Sequence, residues 1–398
     1  MRRRKPADRP EAELARRAVF FIALLGVVSL CADVTYEGAR SITGPYLGWL
    51  GASAAAVGIV AGAGELLGYV LRLWSGVVAD RTRRYWSLTL VGYALNLFAV
   101  PALALTHHWV PAAALVLLER TGKALRTPAR DAMLSFASAR TGHGWGFGLH
   151  EALDQLGATL GPLVVAGIVA ANSSYRQAFA WLLLPASAAL AVLLLARFLF
   201  PQPRTLHIGI ETVETTNLPR TLWIYLAGAC CVAAGYADYA LVAYHFHQSG
   251  HVSAPWIATL YAIAMAVDGA AALVFGRWFD RAGVRVLLVA TALSALAPMF
   301  LFSQGFEFAV AGVVLWGIGF GAQESVFRAA VAELTPPSRR GSAYGLFNMA
   351  FGLAWFAGSS VLGVLYGWSL TAVVVVATLL QVAALPLFWS AARPPHRP

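Results

Sequence analysis

Twelve apolar runs follow one another along the chain, near residues 18–43, 53–79, 86–106, 110–136, 145–170, 177–200, 221–246, 254–277, 284–303, 307–332, 341–365 and 369–391, separated by short polar or Gly/Pro-containing turns. Each matches the roughly 20 residues an α-helix needs to cross the hydrocarbon core of a bilayer. The pattern predicts an all-α membrane protein with twelve transmembrane helices. The longest polar stretch, Pro201 to Arg220, lies between the sixth and seventh runs and carries Glu211 and Glu214 with no helical period. It reads as a linker between two six-helix bundles. The expected organisation is a tail 1–17, a bundle 18–200, a linker 201–220, a bundle 221–391 and a tail 392–398.

Composition removes the alternatives. Of the 398 residues, 59% are hydrophobic and only 12% charged, with mean hydropathy +0.66. A soluble surface cannot be covered with so few charges, which excludes a soluble enzyme, a disordered chain and a nucleic-acid binder. The net charge of +10 would suggest nucleic acid in a soluble protein; here its placement decides otherwise. Basic residues cluster on alternate connections: the N-terminus, Arg81, Arg83 and Arg84, Arg140, the linker with Arg204 and Arg220, Arg281 and Arg285, Arg339 and Arg340, and the tail with Arg393 and Arg397. The positive-inside rule puts both termini in the cytoplasm. Scarce Lys beside abundant Ala and Arg suggests a GC-rich bacterial genome, hence a bacterial inner membrane. Cys31, Cys230 and Cys231 lie in apolar runs at no metal-site spacing and read as packing residues.

The two halves echo one another. Gly76-Val-Val-Ala-Asp80-Arg81 after the second run returns 200 residues later as Gly276-Arg-Trp-Phe-Asp280-Arg281 after the eighth. Phe147-Gly148-Leu149 matches Tyr344-Gly345-Leu346 at an offset of 197, and Arg130 matches Arg328 at 198. A nearly constant offset is what duplicated, pseudo-symmetric bundles leave.

On these residues the chain resembles the major facilitator superfamily over essentially its whole length. Gly76-x3-Asp80-Arg81-x2-Arg84 and Gly276-x3-Asp280-Arg281-x3-Arg285 resemble the family's loop motif between helices two and three and between eight and nine. Gly157-x3-Gly161-Pro162 resembles its fifth-helix motif associated with antiporters, with the later Gly pair reduced to Gly167. The stretch from Glu119 to Ala132 and Phe147-Gly148-x-His150-x3-Asp154 are similar to a bacterial permease subset. The resemblance implies alternating access, a monomer, and gating roles for Gly76, Asp80, Arg81, Arg84, Arg130, Asp131, Asp154, Gly157, Gly161, Pro162, Gly276, Asp280, Arg281 and Arg328. It also places the helix 2–3 loop beside helices four and eleven. There Arg81 or Arg84 is expected to reach Asp131 and Asp80 to sit near Gly341, with Glu333 a matching partner for Asp280-Arg281.

Charges at membrane depth are costly and mark function by default. At about 1.5 Å per residue, Asp33, Glu65, Glu119, Arg120, Lys123, Asp154 and Asp268 fall in or near the middle third of the membrane. Asp33 and Glu37 share a face of the first helix, with Arg40 one turn beyond. Arg120, Lys123, Arg126 and Arg130 form a basic stripe on the fourth. Two readings stay open. Asp33, Glu37, Glu65, Glu119, Arg120, Lys123 and Arg126 line a cavity that takes protons and a solute, or they form an ion-pair lattice that touches neither. The expected function is secondary transport of a small organic solute, anionic in view of the stripe, driven by protons as efflux; import or uniport is the alternative. A membrane-embedded enzyme lacks a His-Glu-x-x-His or paired-Asp signature, and a sensor would carry a soluble domain. No cofactor or metal is expected: His245, His247 and His251, with His107 and His108, read as interfacial residues, and neither Gly142–Gly148 nor Gly122-Lys123-Ala124 has the form of a phosphate loop.

Overall fold

The computed structural model describes residues 8–141, 143–172, 174–202, 219–335 and 340–392. The helices in order are α1 (Asp8–Trp49), α2 (Ala54–Thr82), α3 (Tyr85–Ala102), α4 (Trp109–Thr141), α5 (His143–Asn172), α6 in two pieces (Tyr175–Trp181 and Leu183–Leu199), α7 in two pieces (Arg220–Gly235 and Tyr239–Ser249), α8 (Ala254–Ala282), α9 (Val286–Leu301), α10 (Phe306–Ala322, prolonged by a wider turn Gln323–Phe327 and by Arg328–Glu333), α11 (Arg340–Tyr366) and α12 (Leu370–Ala391). We call the end where α1 begins the inner end. Ten described helical stretches are long and apolar enough to cross a membrane. One of them, Ala254–Leu301, is α8 and α9 in series, broken at Gly283 with φ 57°. The remaining spanning helix, α4, is set apart by its charges. The expected twelve helices are thus accounted for. Residues 203–218 of the expected linker and residues 1–7 and 393–398 of the expected tails lie outside the described residues.

The repeat is visible in packing. A Cβ on Gly76 would meet Pro128 of α4 at 3.6 Å, and one on Gly276 would meet Ser325 of α10 at 4.0 Å. Both motif glycines thus face the equivalent helix of their own bundle. Gly157 and Gly161 do a different job: they bring α5 onto the backbone of α1, where a Cβ at Gly157 would lie 2.5 Å from the Leu30 carbonyl oxygen and 2.8 Å from Asp33 Cβ. Small residues permit such backbone approach between helices in lipid.

The hydrophobic pattern does not foresee the break in α7. Its freed carbonyls must find donors, since none is available from lipid. Gln381 Nε2 donates to the Gly235 carbonyl at 3.1 Å and Trp316 Nε1 to the Ala237 carbonyl at 2.9 Å. Asp238 Oδ1 then accepts from the Ala240 amide at 2.9 Å and caps the second piece.

The bundles meet closely at the outer end. Gly44 of α1 lies against the Ala240 backbone, Gly58 of α2 against Ser359 of α11, and Tyr175 Oη lies 3.3 Å from His247 Nδ1.

Candidate functional site

α4 packs against α1, α2 and α3, and its basic stripe meets acids from two of them. Lys123 Nζ is 3.6 Å from Glu37 Oε1, and Arg40 Nη1 is 4.0 Å from the same oxygen. Arg40 Nη2 donates to Glu65 Oε1 at 3.0 Å and lies 3.6 Å from Asp238 Oδ2. Arg120 reaches Glu65 at 3.4 Å through Nη1 and Glu119 at 3.3 Å through Nε. Asn96 Nδ2 donates to Glu119 Oε1 at 2.7 Å. Three cations and four carboxylates thus form one lattice in which no member is more than a fifth exposed. Buried charges persist only when paired in this way.

The lattice crosses from one half to the other. Arg40 of α1 meets Asp238 at the break in α7, and Tyr261 Oη of α8 donates to Glu37 Oε2 at 2.5 Å. Trp355 Nε1 of α11 adds a longer bond to Asp238 Oδ2 at 3.4 Å. On the outer side the lattice borders a cavity. Leu47, Val57, Val60 and Leu103 form its apolar wall; Arg40, Glu119, Arg120 and Asp238 form its polar floor. Apolar walls with a few convergent polar groups are the lining that a small organic molecule takes.

A second group lies further inward. Asp33 is 4% exposed and Arg126 is 1% exposed. Arg126 packs its guanidinium 4.1 Å from the Tyr93 ring centre and 5.7 Å from that of Tyr36, while Lys123 Nζ stands 3.9 Å over Tyr36. Arg130 binds Asp131 through Nε and Nη2 and donates to Ser29 Oγ at 3.1 Å. Ser29 Oγ is 2.9 Å from His150 Nε2, and His150 Nδ1 is 3.5 Å from Asp154 Oδ2.

Of the seven expected cavity residues, five (Glu37, Glu65, Glu119, Arg120 and Lys123) stand together in the lattice. Asp33 and Arg126 belong to the inner group, and Asp268 is buried on α8 outside these pairs. Asp131 is held by Arg130 on its own helix, and Arg81 and Arg84 are exposed; the expected latch belongs to a state closed at the inner end, whereas here the halves meet at the outer end. The side chains of Asp80, Arg339 and Arg340 lie outside what is described. Arg328, the repeat of the half-buried Arg130, is exposed, and its carbonyl accepts from Tyr344 Oη at 2.9 Å. The residues sequence reading passed over are Asp238 and Tyr261, the two contributions from the second half. Asp238 had a signal, an acid inside an apolar run. Tyr261 had none.

At the outer end His245 Nδ1 lies 2.9 Å from Tyr366 Oη. Among the described residues no group of three or more His, Cys, Asp or Glu side chains is placed to hold a metal ion.

The family model of the Major Facilitator Superfamily matches residues 25–250 and again 225–398. An uncharacterised protein of Mycobacterium tuberculosis is 41% identical over 377 residues, spanning 93% of this chain and 92% of its own. An uncharacterised MFS-type transporter of Methanocaldococcus jannaschii is 24% identical over 361 residues, 87% of this chain and 88% of that one. Among solved structures, the nucleoside transporter NupG superposes with TM-score 0.74 at 15% identity, over 93% of this chain and 99% of that one. A bacterial homolog of the human lysosomal transporter Spinster, inward-facing and unoccupied, superposes with TM-score 0.72 at 13% identity, over 94% and 97%. The chain belongs to the Major Facilitator Superfamily and is a multi-pass membrane protein with the fold of its transporters.

Proposed function

We propose that this member of the Major Facilitator Superfamily is a proton-coupled secondary transporter that exports a small organic solute across a bacterial inner membrane by alternating access. The observation that carries the reading is the charged lattice at the floor of the cavity, which joins the two halves through Arg40–Asp238 and Tyr261–Glu37. A carrier must bind where its halves meet, and binding must change the contacts between them. A solute or proton that competes for one lattice member does both at once. The carboxyls of Asp33 and Glu37 on α1 support proton coupling, with the proton gradient as the energy source and no cofactor. Export rests on the Gly157-x3-Gly161-Pro162 motif. The protein is taken to act as a monomer with both termini in the cytoplasm.

The charge count bears on the solute. The anion expected from the basic stripe finds Arg120 and Lys123 already matched by carboxylates, so it must displace one to bind. A neutral or cationic solute leaves every pair standing. Everted membrane vesicles, energised so that their interior is acid and read with a fluorescent pH probe, test the reading against a panel of neutral, cationic and anionic organic compounds. At least one compound should discharge the gradient in wild type. Asp33→Asn and Arg120→Ala should abolish that response with membrane levels near wild type; undiminished responses in both variants overturn the assignment.

A further inference from the structure

Glu37 is held by Lys123, Arg40 and Tyr261, so its ionised form is well matched. Asp33 is not: its Oδ1 is buried with no hydrogen-bond partner, and so is Oδ1 of Asp154. The two acids are neighbours. α5 rides on α1 so closely at Gly157 that a Cβ there would touch Asp33 Cβ, and Asp154 lies one turn before Gly157 on the same face. Two carboxylates in one dry site cannot both stay ionised cheaply. From Asp154 the hydrogen-bonding groups continue inward: Asp154 Oδ2 to His150 Nδ1 at 3.5 Å, His150 Nε2 to Ser29 Oγ at 2.9 Å, Ser29 Oγ to Arg130 Nη1 at 3.1 Å, and Arg130 to Asp131, whose side chain is 42% exposed. His150 and Ser29 are themselves buried.

We propose that Asp33 and Asp154 share the coupling proton and that His150, through Ser29, relays it between this pair and the inner face. This rests on the proton-coupled reading above and names its site and path. In this relay Ser29 Oγ accepts from Arg130 and gives its own proton to His150 Nε2, with the Nδ1 proton facing Asp154. A hydronium ion from the inner side gives its proton to Ser29 Oγ and leaves as water, while the hydroxyl proton moves onto Nε2 and Nδ1 gives its proton to Asp154 Oδ2; Arg130 holds the serine and stays protonated throughout. The serine and the ring each end with the number of protons they began with, and the carboxyl pair has gained one. The reverse order returns it. The charged and titratable groups around Asp33 are Tyr36 and Glu37 on α1, Lys123 and Arg126 on α4 and Asp154 on α5. Around His150 they are Arg126, Arg130 and Asp131 on α4 and Asp154 on α5. On α8, which packs on α5 at Gln155–Gly269, the nearest in sequence is Asp268. None of these offers a second ring nitrogen to replace His150.

The test needs no solute. Full-length protein in nanodiscs is acidified by stopped flow from neutral to mildly acidic pH, and a bulk pH dye records proton uptake. Wild type should show an uptake phase that both Asp33→Asn and Asp154→Asn diminish. His150→Gln, which keeps the size and polarity, should leave its amplitude and slow it by roughly tenfold or more. Added imidazole should restore the rate in His150→Gly. An unchanged rate in both His150 variants overturns the relay, even while the aspartate variants lose the phase. A phase untouched by Asp33→Asn and Asp154→Asn overturns the shared site. Loss of solute-driven gradient discharge in vesicles, by contrast, would bear on the transport reading alone.

Discussion

Glu37 is where the lattice can be challenged most cleanly. Glu37→Gln keeps the side chain's length and still accepts from Tyr261; it removes only charge. The carboxylate balances Lys123 at 3.6 Å and Arg40 at 4.0 Å. At an effective dielectric constant of about 20 each such pair carries about 4–5 kcal/mol of Coulomb energy. Arg40 keeps Glu65 and Asp238 after the change, so the deficit falls on Lys123, which keeps the Tyr36 ring at 3.9 Å. Leaving one buried charge uncompensated costs about 3–5 kcal/mol. Lys123 is 20% exposed, and solvent reduces the figure to about 2–4 kcal/mol. For a chain of this size that is a fall in Tm of roughly 2–5 °C. Lys123→Met alone should cost a similar amount, because Glu37 then loses its nearest cation. The double variant Glu37→Gln/Lys123→Met removes both charges and should cost less than the sum of the two single changes, with a coupling energy of about 2 kcal/mol. The assay is thermal unfolding of the four purified proteins in one detergent. Additive losses across the cycle would refute the pairing and with it the matched-lattice account of α4.

Two further outcomes follow from the packing between the halves. Gly44→Ala places a methyl group against the Ala240 backbone where α1 and α7 seal the outer end; it should raise labelling of a Leu47→Cys reporter by an impermeant reagent several-fold, and unchanged labelling would show that the seal lies elsewhere. Asp238→Asn keeps the cap on the Ala240 amide but not the charge facing Arg40, so it should lower gradient discharge at nearly wild-type Tm, whereas Asp238→Ala should lose about 1 kcal/mol more through the missing cap; equal Tm for the two variants would mean that the capping bond contributes nothing.

What sequence alone could show follows from the physics of the bilayer. Helix number was legible because each span must bury about 20 residues of apolar surface, and α4 was legible despite seven charges because Trp109 to Leu118 and the flanking turns kept the count. The duplication was legible because Gly76 and Gly276 recur at a nearly constant offset, and each faces the equivalent helix of its own bundle. Which acid pairs with which cation was not legible. Membrane depth is a coordinate along one helix; pairing depends on rotation and on which helix lies opposite. Asp33 and Glu37 share a face of α1 by spacing, yet one turn separates a carboxylate held by Lys123 and Tyr261 from one packed against α5. Asp238 was hidden for a further reason. The run 221–246 reads as one continuous helix, and only the break at Tyr236–Asp238 turns the acid into a cap and a contact for Arg40. That break needs Gln381 of α12 and Trp316 of α10 to satisfy its carbonyls. A local irregularity that depends on side chains 79 and 146 residues away leaves no local pattern. Such irregularities are tolerated at membrane depth only where protein or a cavity surrounds them, so the break that sequence reading missed is also where the second half of the protein reaches the site.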